Sequence, residues 1–166
     1  ELPRGGRILD VGCGSGRDVL AFAARGYDVL GVDASAALVA LATKHSGVAC
    51  EVADVRELSF SQEFDGIWAC ASLLHLAKAE LPLALRRLCA ALRPSGVLFV
   101  ALQEGGGEDV QDDGRFLAKY LAPEIEGHLV DAGYEVVKVW RTGDSLQRSN
   151  APSWVNLLAI KTTQGE

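Results

Sequence analysis

The sequence predicts an α/β protein: a doubly wound, mostly parallel seven-stranded sheet with helices on both faces and the last strand antiparallel. Three observations lead there. Short apolar runs alternate with longer stretches whose apolar residues recur at helical spacing, the pattern of repeated strand–helix–strand units. A glycine cluster stands where the first such run hands over to the first helical stretch. The last two runs are joined by a polar stretch with no helical pattern, so that pair must run antiparallel.

Each element has its own signal. Arg7 to Val11 is a short apolar run ending in glycines, the mark of a buried strand. Asp18 to Arg25 carries Val19, Leu20, Phe22 and Ala23 at helical spacing, and Gly26 closes it as a C-terminal cap. Asp28 to Val32 is a second strand ending at Asp33. Ser35 is the N-cap expected for an Ala- and Leu-rich helix reaching Lys44. Val48 to Val52 and Phe64 to Cys70 give strands three and four. Leu81 to Leu92 is a helix stopped by Pro94 and Gly96, and Val97 to Leu102 is strand five. The glycine- and acid-rich stretch Gly105 to Gly114 reads as a mobile loop able to close over a site. A helix from Pro123 to Ala132 ends at Gly133. Strands from Tyr134 to Trp140 and Trp154 to Ile160 flank a polar loop from Gly143 to Pro152.

Composition narrows the function. The 166 residues are 49% hydrophobic and 23% charged, a globular balance that fits one domain, 1–166. No apolar run approaches a membrane span, and with no basic start, apolar core and small-residue cleavage site in this sequence, no signal peptide is expected. The net charge of −6, with basic residues scattered, argues against a nucleic-acid partner, whose phosphates demand a basic surface. Cys13, Cys50, Cys70 and Cys89 lie far apart in sequence, without the spacing of a disulfide framework or zinc site. They fit reduced thiols, so a cytoplasmic location is expected. No metal site is expected from the spacing of His, Asp and Glu.

The chemistry concentrates in Asp10-Val11-Gly12-Cys13-Gly14-Ser15-Gly16. Glycines there permit positive φ and close ligand approach, and the following helix start offers unpaired N–H groups. Asp33, at the tip of strand two, is placed to accept hydrogen bonds from ribose hydroxyls. A dinucleotide fingerprint needs its third glycine where Arg17 stands, and Asp10 suits a positively charged ligand better than a pyrophosphate. Singly, Asp10 reads equally as a loop cap, Asp54 as a turn-former and Asp33 as a helix cap.

Taken in order, the motifs resemble the class I S-adenosylmethionine-dependent methyltransferases. Leu9 to Gly16 looks like their first motif, Val32-Asp33-Ala34-Ser35 the second-strand acidic motif, and Ala53-Asp54-Val55 the motif after strand three. Phe64 to Trp68 followed by Leu73-Leu74-His75-Leu76, and Leu92 to Leu98, resemble the fourth- and fifth-strand motifs. The resemblance implies a Rossmann-like domain that binds S-adenosylmethionine and releases S-adenosylhomocysteine. It implies that Asp10, Gly12, Cys13, Gly14 and Gly16 hold the methionine end and that Asp33, with Ala34, binds the ribose. Asp54 and Val55 would read the adenine, and backbone at Cys70 and Ala71 would meet the amino group. Family members carry an N-terminal helical segment over the cofactor. This chain starts at Glu1 beside strand one and contains no Met, so that lid segment is expected to be missing from it.

Methyl transfer from a sulfonium needs alignment first and a base only for some acceptors. His75, after strand four, is the candidate catalytic base, with simple pocket lining as the alternative. Ala69-Cys70-Ala71-Ser72 replaces the Asn/Asp-Pro-Pro-Tyr of amino-group methyltransferases, so a small-molecule acceptor is expected. Arg115 and Tyr120, on the segment after strand five, are the candidate acceptor contacts. The competing readings are a catalytically silent module that binds the cofactor or its product, a nicotinamide-dependent oxidoreductase, and an RNA methyltransferase. Oligomeric state is left open by the sequence.

Overall fold

The structure is a computed structural model that describes residues 2–143 and 152–163. Most of the polar loop expected before the last strand, residues 144–151, lies outside the described residues. The chain begins with β1 (Arg7–Val11), α1 (Arg17–Ala23), β2 (Asp28–Asp33), α2 (Ala36–Ser46) and β3 (Cys50–Val52). After a 3-10 turn at Val55–Glu57 come β4 (Phe64–Cys70), a second 3-10 turn at Leu73–His75, and α3 (Leu81–Ala91). Then follow β5 (Leu92–Gln103), β6 (Glu108–Val110), β7 (Phe116–Ala118), α4 (Ala122–Asp131), β8 (Tyr134–Thr142) and β9 (Trp154–Lys161).

Seven strands form one sheet in the order β3-β2-β1-β4-β5-β9-β8. β1 pairs parallel with both β2 and β4, and the order reverses at β1. Such a switch point splays the loops at the strands' carboxyl ends and opens a crevice there. β9 runs antiparallel between β5 and β8, which fulfils the expected antiparallel last strand. Its insertion between them was not foreseen. Leu157 and Ala159 on β9 are fully buried, so this strand belongs at the sheet's centre rather than its edge.

Alternation along the strands sorts the core into two layers. Leu9 and Val11 face a large cluster with Leu81, Leu85 and Leu88 of α3 and Ile125 and Leu129 of α4. On the other face Val29 packs with Val19 of α1 and Ala42 of α2. Ser35 caps α2 as expected, its Oγ accepting from Leu38 N at 3.3 Å. Beyond α1 this second face carries an apolar hollow of about 370 Å³ lined by Phe22, Trp68, Phe99 and Leu158. Trp68 stacks on Phe99 there at 3.9 Å between centroids.

Two expectations need correction. Pro94 and Gly96 do not delay strand five: β5 begins at Leu92, which pairs with Phe64, and the register shifts between Phe64 and Gly66 to absorb the irregular residues. Ser95, at φ 60°, marks the distortion. The supposed loop from Gly105 to Gly114 contains β6, which pairs antiparallel with β7 in a separate hairpin. Its turn is locked by Asp113 accepting from Arg115 N at 3.1 Å, with Gly114 at φ 81°. The Asp-Gly pair is a turn signal whose flanking strands are only three residues long.

Candidate active site

The carboxyl ends of β1, β2 and β4 surround a cavity of about 440 Å³. Val11, Gly12 and Gly14 form its floor, and Asp33 and Ala34 one wall. Asp54, Val55 and Arg56 close the far side, and Ala71, Ser72 and His75 face them. The glycine loop is pinned by Gly12 and Cys13, whose N–H groups both donate to the Val32 carbonyl at 2.8 and 3.0 Å. His45 of α2 ties the same loop through Nδ1 to the Ser15 carbonyl at 3.0 Å. Gly12 has φ 70°, and a Cβ there would stand 2.4 Å from Cβ of Ser72. Gly14 has φ 54°, and a Cβ there would meet nothing within 4 Å. Its missing side chain leaves the cavity open.

Asp33 braces this loop as well as lining it. Oδ2 accepts from Gly14 N at 3.0 Å and Oδ1 from Ser35 N at 2.9 Å. A carboxylate has about four lone-pair sites, so both oxygens keep capacity for a diol.

Asp10 does not itself line the cavity: it precedes Val11 and Gly12 of the floor in the chain and is 3% exposed, with Oδ2 buried and unpartnered. Burial is the main force pushing its carboxyl up to about 7, with Asp18 and Asp33 adding to it and Arg17 opposing. A buried, orphaned carboxylate costs free energy unless a cation meets it. Asp18 itself is held ionised by the Arg17 guanidinium, and it accepts from Trp68 Nε1 at 2.9 Å.

Asp54 sits on the cavity wall with its carboxylate already engaged. Oδ1 accepts from Arg56 N at 2.8 Å, and the Arg56 guanidinium grips both oxygens, which holds the acid below its ordinary range. Arg56 also reaches Glu80 at 2.5 Å. Arg56 and Ser72, whose Oγ is buried without a partner, were missed in the sequence. The neighbouring Ala53-Asp54-Val55 motif was the available signal for Arg56; nothing singled out Ser72.

A smaller cavity of about 220 Å³ adjoins the first, and the two share Ala71 and His75. Ala71 reaches that position at φ 55°, a strained turn for a residue with a Cβ. His75 Nδ1 lies 2.9 Å from the Phe116 carbonyl. A carbonyl oxygen only accepts, so the neutral ring carries its proton on Nδ1 and keeps the Nε2 lone pair open. Gln103 of β5 and Trp154 of β9 stand opposite, paired across the sheet. Gln111 and Arg115 arrive from the hairpin turn.

The remaining expected residues fall elsewhere. Tyr120 is fully buried in the core, its hydroxyl without a partner, and lines neither of these two cavities. Its ring lies under Lys78 Nζ at 4.7 Å. Gly16 packs on Ala42 of α2, whose backbone would be 2.9 Å from a Cβ. Cys70 is half-buried beside Arg17, and burial pushes its thiol up. Cys13 and Cys50, remote in sequence, meet against Gly31: a Cβ there would be 2.9 Å from Cys50 Sγ and 3.2 Å from Cys13 Cβ. Burial and that neighbour push the Cys13 thiol up to about 12. Among the described residues, no three His, Cys, Asp or Glu converge as metal ligands, and no helix is long and apolar enough to cross a membrane.

The chain is similar to known proteins in sequence and in fold. A family model described as a methyltransferase domain matches residues 8–96, more than half of the chain. A ubiquinone biosynthesis O-methyltransferase from Xanthomonas campestris pv. campestris is 37% identical over 105 residues, covering 58% of this chain and 43% of its own. The chain spans between 39% and 43% of the length of such curated relatives. A SAM-dependent methyltransferase structure from Methanosarcina mazei superposes with a TM-score of 0.87 at 19% identity, over 98% of this chain and 95% of that one. The 1,6-didemethyltoxoflavin-N1-methyltransferase of Burkholderia thailandensis, solved with bound 1,6-didemethyltoxoflavin and S-adenosylhomocysteine, gives 0.82 at 25% identity, over 96% and 72%. The glycine loop, the acidic strand tip and the reversed strand order thus have a common origin, and the chain belongs to the class I S-adenosylmethionine-dependent methyltransferase family.

Proposed function

We propose that this domain binds S-adenosylmethionine in the larger cavity and transfers its methyl group by direct displacement to a small molecule held in the smaller one. The observation that carries the reading is the junction of the two cavities at Ala71 and His75, with a cofactor-type loop on one side only. The residues present fit that cofactor. Asp10 offers an unpartnered buried oxygen to an ammonium, Gly14 leaves open space, and Asp33 keeps lone pairs for the ribose diol. When bound, S-adenosylmethionine supplies an electrophilic methyl carbon on a sulfonium.

The chain's own part is to position and to exclude water. Gly12, pressed against Ser72, fixes the distance between the β1 and β4 loops. The strained turn at Ala71 brings backbone to the place where the two ligands meet. His75 is oriented by the Phe116 carbonyl, so its Nε2 can accept a proton or a hydrogen bond from a hydroxyl acceptor. Small-molecule acceptors in the relatives' names support the same substrate class. The test is transfer of labelled methyl groups from S-adenosylmethionine to a panel of small hydroxyl and amine acceptors. Turnover on one of them is expected. Cofactor binding with no turnover across the panel and in cell extract would make the domain a silent binding module.

A further inference from the structure

Charge is divided unevenly between the two cavities. The chain holds 22 Asp and Glu against 16 Lys and Arg, yet among the described residues no carboxylate lines the smaller cavity. Its polar lining is Arg115, His75, Gln103 and Gln111, with Leu74, Leu117 and Trp154 as the apolar part. The larger cavity, by contrast, presents Asp33 and the Asp54–Arg56 ion pair, with the buried Asp10 next to its glycine loop, so its net balance is acidic.

From this division we propose that the smaller cavity selects a small hydroxylated organic anion, with Arg115 binding its negative group and Gln103 its hydroxyl. The inference rests on the methyltransferase reading above and names its acceptor class. Asp113 takes only one edge of the Arg115 guanidinium: Nε donates to Oδ2 at 2.7 Å, and the terminal nitrogens have no partner among the described residues. Arg115 lines the cavity from an exposed position at its rim, while Asp113, off the cavity wall, holds it through Nε and leaves the terminal nitrogens for a ligand. A planar guanidinium with two free donors matches a carboxylate in bidentate geometry. Gln103 Oε1 is buried with no hydrogen-bond partner, a cost that an acceptor hydroxyl or N–H removes. Trp154, Leu74 and Leu117 supply a surface for a ring-sized apolar body. The volume of about 220 Å³ restricts the ligand to a small molecule.

The test uses matched pairs: benzoate, 4-hydroxybenzoate and indole-3-carboxylate against their carboxamides, titrated into the protein saturated with S-adenosylhomocysteine. Binding is read by calorimetry and by ligand-observed NMR. The acids should bind at least tenfold more tightly than the amides at neutral pH. Arg115→Gln should bring the two within about threefold, and Arg115→Lys should restore part of the gap. Gln103→Leu, with its melting temperature checked, should erase the preference of 4-hydroxybenzoate over benzoate and leave the acid–amide gap in place. Equal binding of acids and amides, tighter binding of the amides, a gap that survives Arg115→Gln, or no saturable binding of any probe would each overturn the inference. S-adenosylhomocysteine affinity is measured first. Its absence would overturn the methyltransferase reading, whereas intact cofactor binding with no acid preference would overturn the acceptor class alone.

Discussion

Gly12 and Gly14 stand two residues apart and differ in what a methyl group would meet. Gly12→Ala puts Cβ 2.4 Å from Ser72 at positive φ, so it should lower stability by about 2–4 kcal/mol. Gly14→Ala meets open space, and only the left-handed backbone costs it, about 1–2 kcal/mol. If the cofactor fills that space, Gly14→Ala should still lose tenfold or more in S-adenosylhomocysteine affinity by calorimetry. A fully retained affinity would place the ligand elsewhere. Asp10 offers a second test at this level. Its folded pKa of about 7 lies above the ordinary 3.8, so the neutral form favours folding and its contribution is complete below about pH 4. That contribution is lost as pH rises towards 7, up to roughly 4 kcal/mol. Asp10→Asn should therefore be more stable than wild type in thermal melts above pH 7. Pairing with the cofactor ammonium requires the ionised acid, so cofactor affinity should rise through pH 7 in wild type and stay weak and flat in Asp10→Asn. A variant less stable at pH 8 would contradict the first expectation, and one with wild-type affinity the second. The acidic positions were legible because strand tips and glycine turns mark themselves. Ser72, Arg56 and Gln103 were not, because their roles depend on which loops the sheet order brings together.

The hairpin of β6 and β7 is the element that the sequence disguised. Its strands are three residues each, too short for alternation to show, and its turn is polar and glycine-bearing like any loop. Three ties fasten it beside the active site: His75 Nδ1 to the Phe116 carbonyl, Lys78 N–H to Glu108 Oε1 at 2.6 Å, and Lys119 N–H to the Gly107 carbonyl at 3.0 Å. Gly114 holds the turn at φ 81°, so Gly114→Val should open the hairpin. Hydrogen exchange should quicken for the Gln111 and Lys119 amides, and acceptor KM should rise. S-adenosylhomocysteine affinity should stay within about twofold, because no hairpin residue lines the larger cavity. Equal weakening of cofactor and acceptor would mean that the hairpin supports both sites. The longer elements were legible for the opposite reason. α3 buries Leu81, Ala84, Leu85 and Leu88 along one stripe, and β4 is an apolar run that buries Phe64, Gly66, Ile67 and Ala69 in the sheet's interior, so local pattern and tertiary burial agree. β5 escaped at its start because Pro94 punctuates a strand that continues across it, using a register shift that only pairing with Phe64 reveals.

Taken together, the sheet order explains why the two ligand sites lie side by side. The switch at β1 places the glycine loop, the Asp33 tip and the β4 turn around one crevice, and β9 beside β5 brings Trp154 next to Gln103 at its neighbour. Alternating runs made the parallel half of this arrangement legible. The position of β9 was not, because an antiparallel strand after a helix-free connection satisfies the same local rules at an edge or in an interior slot. The most direct measurement is calorimetric titration of the protein with S-adenosylhomocysteine and, separately, with NAD. One-to-one, saturable binding of S-adenosylhomocysteine, lost in Asp33→Ala by about 2–4 kcal/mol and accompanied by no heat from NAD, is the predicted result. Saturable NAD binding with no response to S-adenosylhomocysteine would contradict it.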